Sequence, residues 1–177
     1  MTSDPDIPAP DDKDWTWVLE RPCSDCGFDA SLVLGPDVGG LVRDAGHRWQ
    51  GVLARPDVRR RPSPTVWSVA EYGSHCRDVC RIFGERVTLI LEQDNPLFPN
   101  WDQDQTAIEK RYWADDPAVV VVELTAAAEA AAATFDTVTG AQWARAGRRS
   151  NGSVFTVLTL GRYFVHDLVH HLWDVRS

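Results

Sequence analysis

The sequence of 177 residues has few basic side chains and no long apolar run, and each absence narrows the range of functions. Its 18 Lys and Arg residues stand against 26 Asp and Glu, which gives a formal net charge of −8. Nucleic acids and anionic membranes are bound through clustered Lys and Arg, so we expect neither as a partner. No apolar run approaches the roughly 18 residues of a membrane span, and the N-terminus is acidic where a signal peptide is basic and then apolar. We therefore predict a cytoplasmic protein.

Cysteine is also scarce, with four residues in the chain. Structural disulfides are rare in the cytoplasm, so these cysteines are expected to be thiols, ligands or small core residues. Cys76 and Cys80 fall on the apolar stripe of a predicted helix, which favours buried thiols over a zinc site built from all four cysteines. Cys23 and Cys26 form a C-x-x-C turn that suits half of a zinc knuckle or a redox pair. For this pair a disulfide, a redox switch and a structural turn all remain open, and a non-catalytic role is favoured.

The length and composition predict one all-α domain. Residues 1–14 carry five Asp and three Pro and are expected to form a flexible acidic tail, followed by a single domain over residues 15–177. The domain begins with an extended arm from Trp15 to Leu34. Apolar residues then recur at three- and four-residue steps in four segments. The predicted helices run from Pro36 to Arg55, from a capping box at Ser68 to Gln93, from Pro117 to Thr137, and from Phe155 to Val175.

A long polar crossover over residues 94–116 separates the second and third helices, and residues 138–154 are predicted to be a loop. Four amphipathic helices with one long connection indicate a four-helix bundle in which not all neighbours are antiparallel. Bundles of this kind build metal and ligand sites from side chains on facing helices.

The last helix contains FVHDLVHHLWDV, with three of the chain's five histidines. His166 and His170 differ by about 40° around a helix, so one ion can meet both imidazoles, whereas His171 lies about 100° from His170 and is expected to point outward. Because tight divalent sites have at least three protein ligands, a third must come from elsewhere. His75, on the flank of the second helix, is the better candidate, and His47 in the first helix is a weaker one. From spacing alone, these histidines could instead be core residues whose hydrogen bonds are made within the protein.

These segments resemble a known family. The histidine in WSVAEYGSHCRDV, the crossover NWDQDQTAIEKRY, the segment QWARAGRRSNGSVFTVLTLGRY and the final YFVHDLVHHLWDV resemble, in that order, the DinB-like superfamily of four-helix-bundle metalloproteins. RPCSDCGFDA is similar to a segment of its actinobacterial branch, which includes mycothiol-dependent maleylpyruvate isomerase and related thiol S-transferases. The likeness runs from about Trp15 to Val175 and is more specific for the fold than for the reaction.

The resemblance implies a three-ligand divalent site, usually zinc, with one histidine from the second helix and two ligands from the last. On this chain the implied ligands are His75, His166 and His170. The isomerase branch has a glutamate where this chain has His166, so the all-histidine set argues against isomerase activity.

The chemistry implied by such an ion is activation of a thiol or a water molecule, because an open coordination position lowers the pKa of either. The expected partners are a low-molecular-weight thiol of the mycothiol type and a small electrophile, and a homodimer is one alternative for the oligomeric state. Tyr163, one turn before His166, and Asp102 or Asp104 in the crossover are candidates to orient a ligand or act as a base. A non-catalytic metal-binding or stress-associated protein and a metal-dependent hydrolase remain alternatives to the thiol S-transferase.

Overall fold

The computed structural model describes residues 6–8, 10–11 and 13–176, and over these residues the predicted four-helix bundle is confirmed. Its long helices are α1 (Val38–Leu53), α2 (Val69–Glu92), α4 (Pro117–Asp136) and α5 (Val157–Asp174), and a short helix α3 (Gln103–Glu109) lies in the crossover. The ends of all four long helices fall within two residues of the sequence prediction.

Capping side chains explain why these helices begin where they do. The predicted capping box of α2 is confirmed: Ser68 Oγ accepts from the Glu71 N–H at 3.3 Å, and Glu71 Oε2 accepts from the Ser68 N–H at 2.8 Å. Asp116 accepts from the Ala118 N–H, with Pro117 at the first helical position. Each cap satisfies amide groups that have no partner within the helix.

The core lies between α4 and its neighbours α1 and α2, with α5 closing the bundle. Phe83, Phe164 and Phe135 form a stacked row from α2 through α5 to α4, with ring centroids 5.0 and 6.1 Å apart. Cys76 and Cys80 are buried free thiols in this core, as the sequence predicts. Helix α4 is long and apolar enough to cross a membrane by length and composition, which the sequence analysis did not anticipate. Core helices share that composition, and α4 packs along both α1 and α2.

Short strands replace part of the predicted irregular structure. Strand β1 (Leu97–Phe98) pairs in parallel with β2 (Ala146–Arg149), which pairs antiparallel with β3 (Val154–Thr156) in the register Gly147 to Phe155. These strands are too short to show an alternating pattern, so the sequence predicted a loop. Gly147 is needed for close packing, since a Cβ there would lie 2.6 Å from Ile90 Cγ1.

The segment over residues 15–34, here called the N-terminal arm, is not extended as predicted. It contains the 3-10 turns Trp15–Leu19 and Ala30–Leu32, and it lies against α5, where Arg162 Nε donates to the Val33 carbonyl at 3.0 Å. In the predicted tail, the Asp11 N–H donates to Asp104 Oδ2 at 3.0 Å. Residues 1–5, 9, 12 and 177 lie outside the described residues.

A buried carboxylate ties the crossover to α2. Asp78 accepts from Tyr112 Oη at 2.6 Å, from Lys110 Nζ at 2.8 Å and from Arg77 Nε at 3.1 Å. Because a buried charge requires such partners, this group fixes the crossover over one end of the bundle. The same crossover brings Trp101 against His75, with the rings stacked at 5.3 Å.

Candidate metal site

Helix α5 carries two pairs of metal-ligating side chains on adjacent faces. One pair is Asp167 and His171, and the other is His166 and His170, each with a spacing of four residues. The two faces differ by about 100°, so each pair meets a different part of the molecule. Asp167 and His171 meet α2, whereas His166 and His170 meet the N-terminal arm.

The first group joins His75 of α2 to Asp167 and His171. Asp167 Oδ1 lies 3.6 Å from His75 Nε2 and 3.3 Å from His171 Nε2, and the two imidazole centroids are 4.7 Å apart. Ligands about 2.0–2.1 Å from a tetrahedral zinc ion are separated from one another by roughly 3.3–3.4 Å. The two separations from Asp167 Oδ1 are therefore already near the spacing that one ion requires, and one ligand atom from each of the three residues lies within 4.8 Å of the others.

The hydrogen bonding of this group also fits a cation. Asp167 Oδ1 and both ring nitrogens of His75 are buried and have no hydrogen-bond partner within the described part of the chain, because neither ion-pair approach has hydrogen-bond geometry. Buried polar atoms without partners are costly, and a bound ion would satisfy two of the three. The residues present thus fit a divalent metal, with His75 Nε2, Asp167 Oδ1 and His171 Nε2 as its ligands.

Asp174 supports this arrangement from one turn further along α5. Its Oδ2 lies 2.9 Å from His171 Nδ1, on the opposite side of the ring from Asp167. A carboxylate in this position fixes the tautomer of a ligating histidine and directs the other nitrogen to the metal. His171 Nε2 is consequently the nitrogen available for an ion.

Charge interactions within the group are strong. Burial alone would lower the pKa of His171, but contacts with Asp167 and Asp174 raise it to about 9. Burial would raise the pKa of Asp167, yet His171 and His75 hold it well below its usual range. The pKa of His75 is lowered, mainly by burial. Without a cation, the Asp167 carboxylate is therefore balanced by a proton on His171.

The second group consists of Cys23 and Cys26 of the N-terminal arm with His166 and His170 of α5. One ligand atom from each residue lies within 4.8 Å of every other. Cys23 Sγ is 3.7 Å from His170 Nδ1, and His166 Nε2 is buried without a partner among the described residues. Burial lowers the pKa of His166 to about 4, so its imidazole is neutral at physiological pH.

A pocket of about 270 Å³ opens beside both groups. Both groups form part of its wall, through Asp167, His171 and Asp174 beside the first and through His166 and His170 of the second. His75 is fully buried and does not line the pocket. Trp15, Trp67, Tyr72 and Tyr163 supply aromatic surface. The volume suits a small molecule or the reactive end of a larger one.

Comparisons with known proteins agree with this architecture. The family model of the DinB superfamily matches residues 46–175, which is most of the chain. The chain belongs to the DinB superfamily. The fold of this DinB protein is similar to that of YfiT from Bacillus subtilis, with a TM-score of 0.70 and 17% identity over 80% of this chain and 85% of YfiT. YfiT is described as a probable metal-dependent hydrolase with an unusual four-helix bundle topology. No curated protein matches the chain.

The predicted ligand set of His75, His166 and His170 is divided between the two groups of this DinB bundle. His75 is grouped with Asp167 and His171, and the expected outward position of His171 is corrected. The reason is the rotation of α5, which turns the face of residues 167 and 171 toward α2. The sequence already indicated this second possible ligand pair, since Asp167 and His171 have the same spacing as His166 and His170.

The three residues predicted to orient a ligand or act as a base lie in different surroundings. Tyr163 lines the pocket, and burial raises its pKa to about 12, so its hydroxyl remains protonated at neutral pH. Asp104 also lines the pocket, and partial burial raises the pKa of its carboxyl group. Asp102 instead caps α3, where its Oδ1 accepts from the Gln105 N–H at 2.8 Å, and it lies outside this pocket.

Proposed function

We propose that this DinB protein is a metal-dependent enzyme that acts on a small molecule, with a divalent ion, most simply zinc, held by His75, Asp167 and His171. The observation that carries the proposal is the spacing of the three ligand atoms, 3.3 and 3.6 Å from Asp167 Oδ1, beside a pocket. Three protein ligands leave one position of a tetrahedral zinc ion open, as in catalytic rather than structural sites.

The ion would supply Lewis acidity, which lowers the pKa of a thiol or water molecule in the open position. The remaining work falls to the chain's own side chains. Asp104, with its raised pKa, can accept the released proton, and Tyr163 can donate a hydrogen bond to charge that develops on the substrate. The indole rings of Trp15 and Trp67 exclude water from the pocket wall.

We propose thiol S-transfer as the reaction, with a low-molecular-weight thiol of the mycothiol type as one substrate. The thiol loses its proton, its sulfur forms a bond to an electrophilic carbon, and the leaving group departs with the bonding electron pair. Support comes from the resemblance of RPCSDCGFDA to a segment of the actinobacterial thiol-dependent branch. The carboxylate that the isomerase branch contributes from its last helix has a counterpart in Asp167, one residue after His166.

Hydrolysis is the second candidate reaction. It is favoured by the shared fold with YfiT, which is described as a probable metal-dependent hydrolase. In this case a water molecule would be the nucleophile, Asp104 would accept its proton, and the water oxygen would bond to the carbonyl carbon of an ester or amide as the alcohol or amine departs. The two reactions differ only in the nucleophile, so one preparation of the protein can test both.

The experiment compares the zinc-loaded parent with Asp167→Asn and His171→Ala, and uses His47→Ala as the matched control. His47 is exposed on α1 and is not among the residues that line the pocket. Conjugation of mycothiol to a bimane electrophile is measured, followed by hydrolysis of small esters and amides without thiol. We expect conjugation in the parent and in His47→Ala, and background rates in the other two variants.

Two results would contradict the proposal. Undiminished turnover in Asp167→Asn would remove the ligand assignment. Zinc bound at this site without conjugation or hydrolysis would favour a non-catalytic metal-binding protein. Hydrolysis without conjugation would identify the enzyme as a hydrolase rather than a thiol S-transferase.

A further inference from the structure

The group on the other face of α5 is separate from the proposed catalytic ligands. It joins Cys23 and Cys26, two residues of one turn, to His166 and His170, two residues of one helix. C-x-x-C followed by H-x-x-x-H is the ligand pattern of Cys2His2 zinc sites. Here more than a hundred residues separate the two halves, so only the folded structure brings them together.

Burial distinguishes this group from surface cysteines and histidines. Cys23 is 2% exposed, His166 3% and His170 8%, and Cys26 is half-buried at the edge. The observed separation of 3.7 Å between Cys23 Sγ and His170 Nδ1 is close to the roughly 3.5 Å expected for two such ligands of one zinc ion. His166 Nε2 provides an independent sign, since it is buried within the group and lacks a hydrogen-bond partner in the described chain.

The backbone of the cysteine turn places both thiols toward α5. The Gly27 N–H donates to the Cys23 carbonyl at 2.9 Å, and the Cys23 N–H donates to the Phe28 carbonyl at 2.8 Å. Gly27 has φ +74°, a left-handed conformation that residues with a Cβ rarely adopt. These bonds fold the loop tightly and hold Cys23 and Cys26 on the same side, facing α5.

Aromatic side chains of the N-terminal arm enclose the histidines. The Trp15 ring lies 4.9 Å from the His170 ring and 5.8 Å from the His166 ring, and Phe28 lies 5.7 Å from His166. These rings cover part of the group, and His166 and His170 also line the pocket. Trp15 also lines the pocket, so the position of the arm determines one pocket wall.

We propose that Cys23, Cys26, His166 and His170 bind a second zinc ion, whose role is structural. Four protein ligands complete a tetrahedral shell and leave no open position, in contrast to the three ligands of the His75 group. The ion fastens the N-terminal arm to α5 and thereby fixes Trp15 beside the pocket. The ion adds a cross-link at the cysteine turn to the attachments that the arm already has through buried Val18 and Val33 and through the Arg162 bond to the Val33 carbonyl.

The test measures metal content and cobalt spectra on the full chain, purified under reducing conditions. Thiolate ligands give Co²⁺ an intense charge-transfer band in the near ultraviolet, which a site of His and Asp does not produce. We expect two zinc ions in the parent, one in Cys23→Ala/Cys26→Ala, and the band only where the cysteines are present. Cys76→Ala/Cys80→Ala is the matched control, because it removes two buried thiols that lie outside the group.

Two further variants distinguish this proposal from the proposed function. Asp167→Asn should lose the other zinc ion and retain the band, so either site can fail without the other. Cys26→His, which substitutes another zinc ligand at the half-buried edge, should retain two zinc ions with a weaker band. A glutamate-specific protease should cleave after the exposed Glu20 faster in Cys23→Ala/Cys26→Ala than in the parent.

Absence of the band in reduced, cobalt-loaded parent protein would overturn the proposal. Two zinc ions in Cys23→Ala/Cys26→Ala would overturn it as well. A Cys23–Cys26 disulfide that forms in air and persists in the presence of zinc and reductant would identify a redox pair instead.

Discussion

Asp174 contacts a histidine of each ligand group. Its Oδ2 lies 2.9 Å from His171 Nδ1, and its Oδ1 lies 3.8 Å from His170 Nε2. The first distance is a hydrogen bond and the second is a weaker charge contact. We therefore infer that the main role of Asp174 is to position His171 rather than His170.

Asp174→Ala should weaken zinc binding at the His75 group by about 10–100-fold, which is the usual cost of losing a carboxylate behind a ligating histidine. The zinc dissociation constant is measured in the Cys23→Ala/Cys26→Ala background, where only this group remains. Asp44→Ala, at an exposed position of α1, is the control and should bind zinc like the parent. Equal affinity in the Asp174 and Asp44 variants would show that His171 needs no such support.

Asp78 provides a residue-scale test of stability rather than binding. Asp78→Asn should lower the free energy of unfolding by about 3–5 kcal/mol, because it removes the charge that Arg77 and Lys110 share. Burial raises the pKa of Asp78, but the bonds from Lys110, Tyr112 and Arg77 outweigh it and lower the pKa below its ordinary 3.8. Its contribution is therefore complete above pH 3.8 and is lost as the pH falls through the folded pKa.

Urea unfolding of parent and variant between pH 7 and pH 2.5 measures this difference. We expect a constant gap between the two proteins down to about pH 4 and a narrowing gap below it. A gap that widens toward acid would mean that the Asp78 carboxyl is already protonated in the folded protein at neutral pH.

At the scale of elements, the helices could be predicted from the sequence because their signals are local. The Ser68 and Glu71 capping box, the Asp116–Pro117 start of α4 and the apolar periodicity each involve residues a few positions apart. The strand Leu97–Phe98 could not be predicted, since it pairs with β2 about fifty residues further along the chain. The strand Val154–Thr156 pairs with β2 across the short turn of residues 150–153, but both strands are too short to show an alternating pattern.

The candidate site also depends on packing that local sequence signals do not reveal, here within a single helix. Spacing identified α5 as the source of ligands, but the prediction took His166 with His170 and placed His171 outward, although Asp167 and His171 have the same spacing. Only the rotation of α5 against α2 and the N-terminal arm decides which pair meets His75. That rotation depends on packing over the whole bundle and has no signal within residues 164–175.

The packing of α1 on α4 offers a test at this scale. A Cβ at Gly46 would lie 2.8 Å from Ala128 Cβ on α4, whereas a Cβ at Gly40 meets nothing within 4 Å. Gly40→Ala should raise the free energy of unfolding by up to about 1 kcal/mol through helix propensity. Gly46→Ala should lower it by about 1 kcal/mol, because the cost of overpacking exceeds that gain. Equal effects in thermal unfolding would mean that the two helices separate more easily than this contact implies.

For the whole molecule, two metal groups on one helix make stability dependent on zinc. At a free zinc concentration 1,000-fold above the dissociation constant, one ion adds about 4 kcal/mol to the free energy of unfolding. For a chain of this size that gain corresponds to about 8–16 °C in Tm. We expect an increase in Tm of about this size for each ion bound when zinc is returned to chelator-treated protein. Asp167→Asn combined with Cys23→Ala/Cys26→Ala should show no increase, and a parental increase in that variant would indicate binding elsewhere.

The most direct test of the central claim is an anomalous difference map at the zinc edge from crystals of the zinc-loaded protein. The account predicts a peak about 2.0–2.2 Å from His75 Nε2, Asp167 Oδ1 and His171 Nε2. A peak bound jointly by His75, His166 and His170, or no peak beside an ordered Asp167, would contradict it.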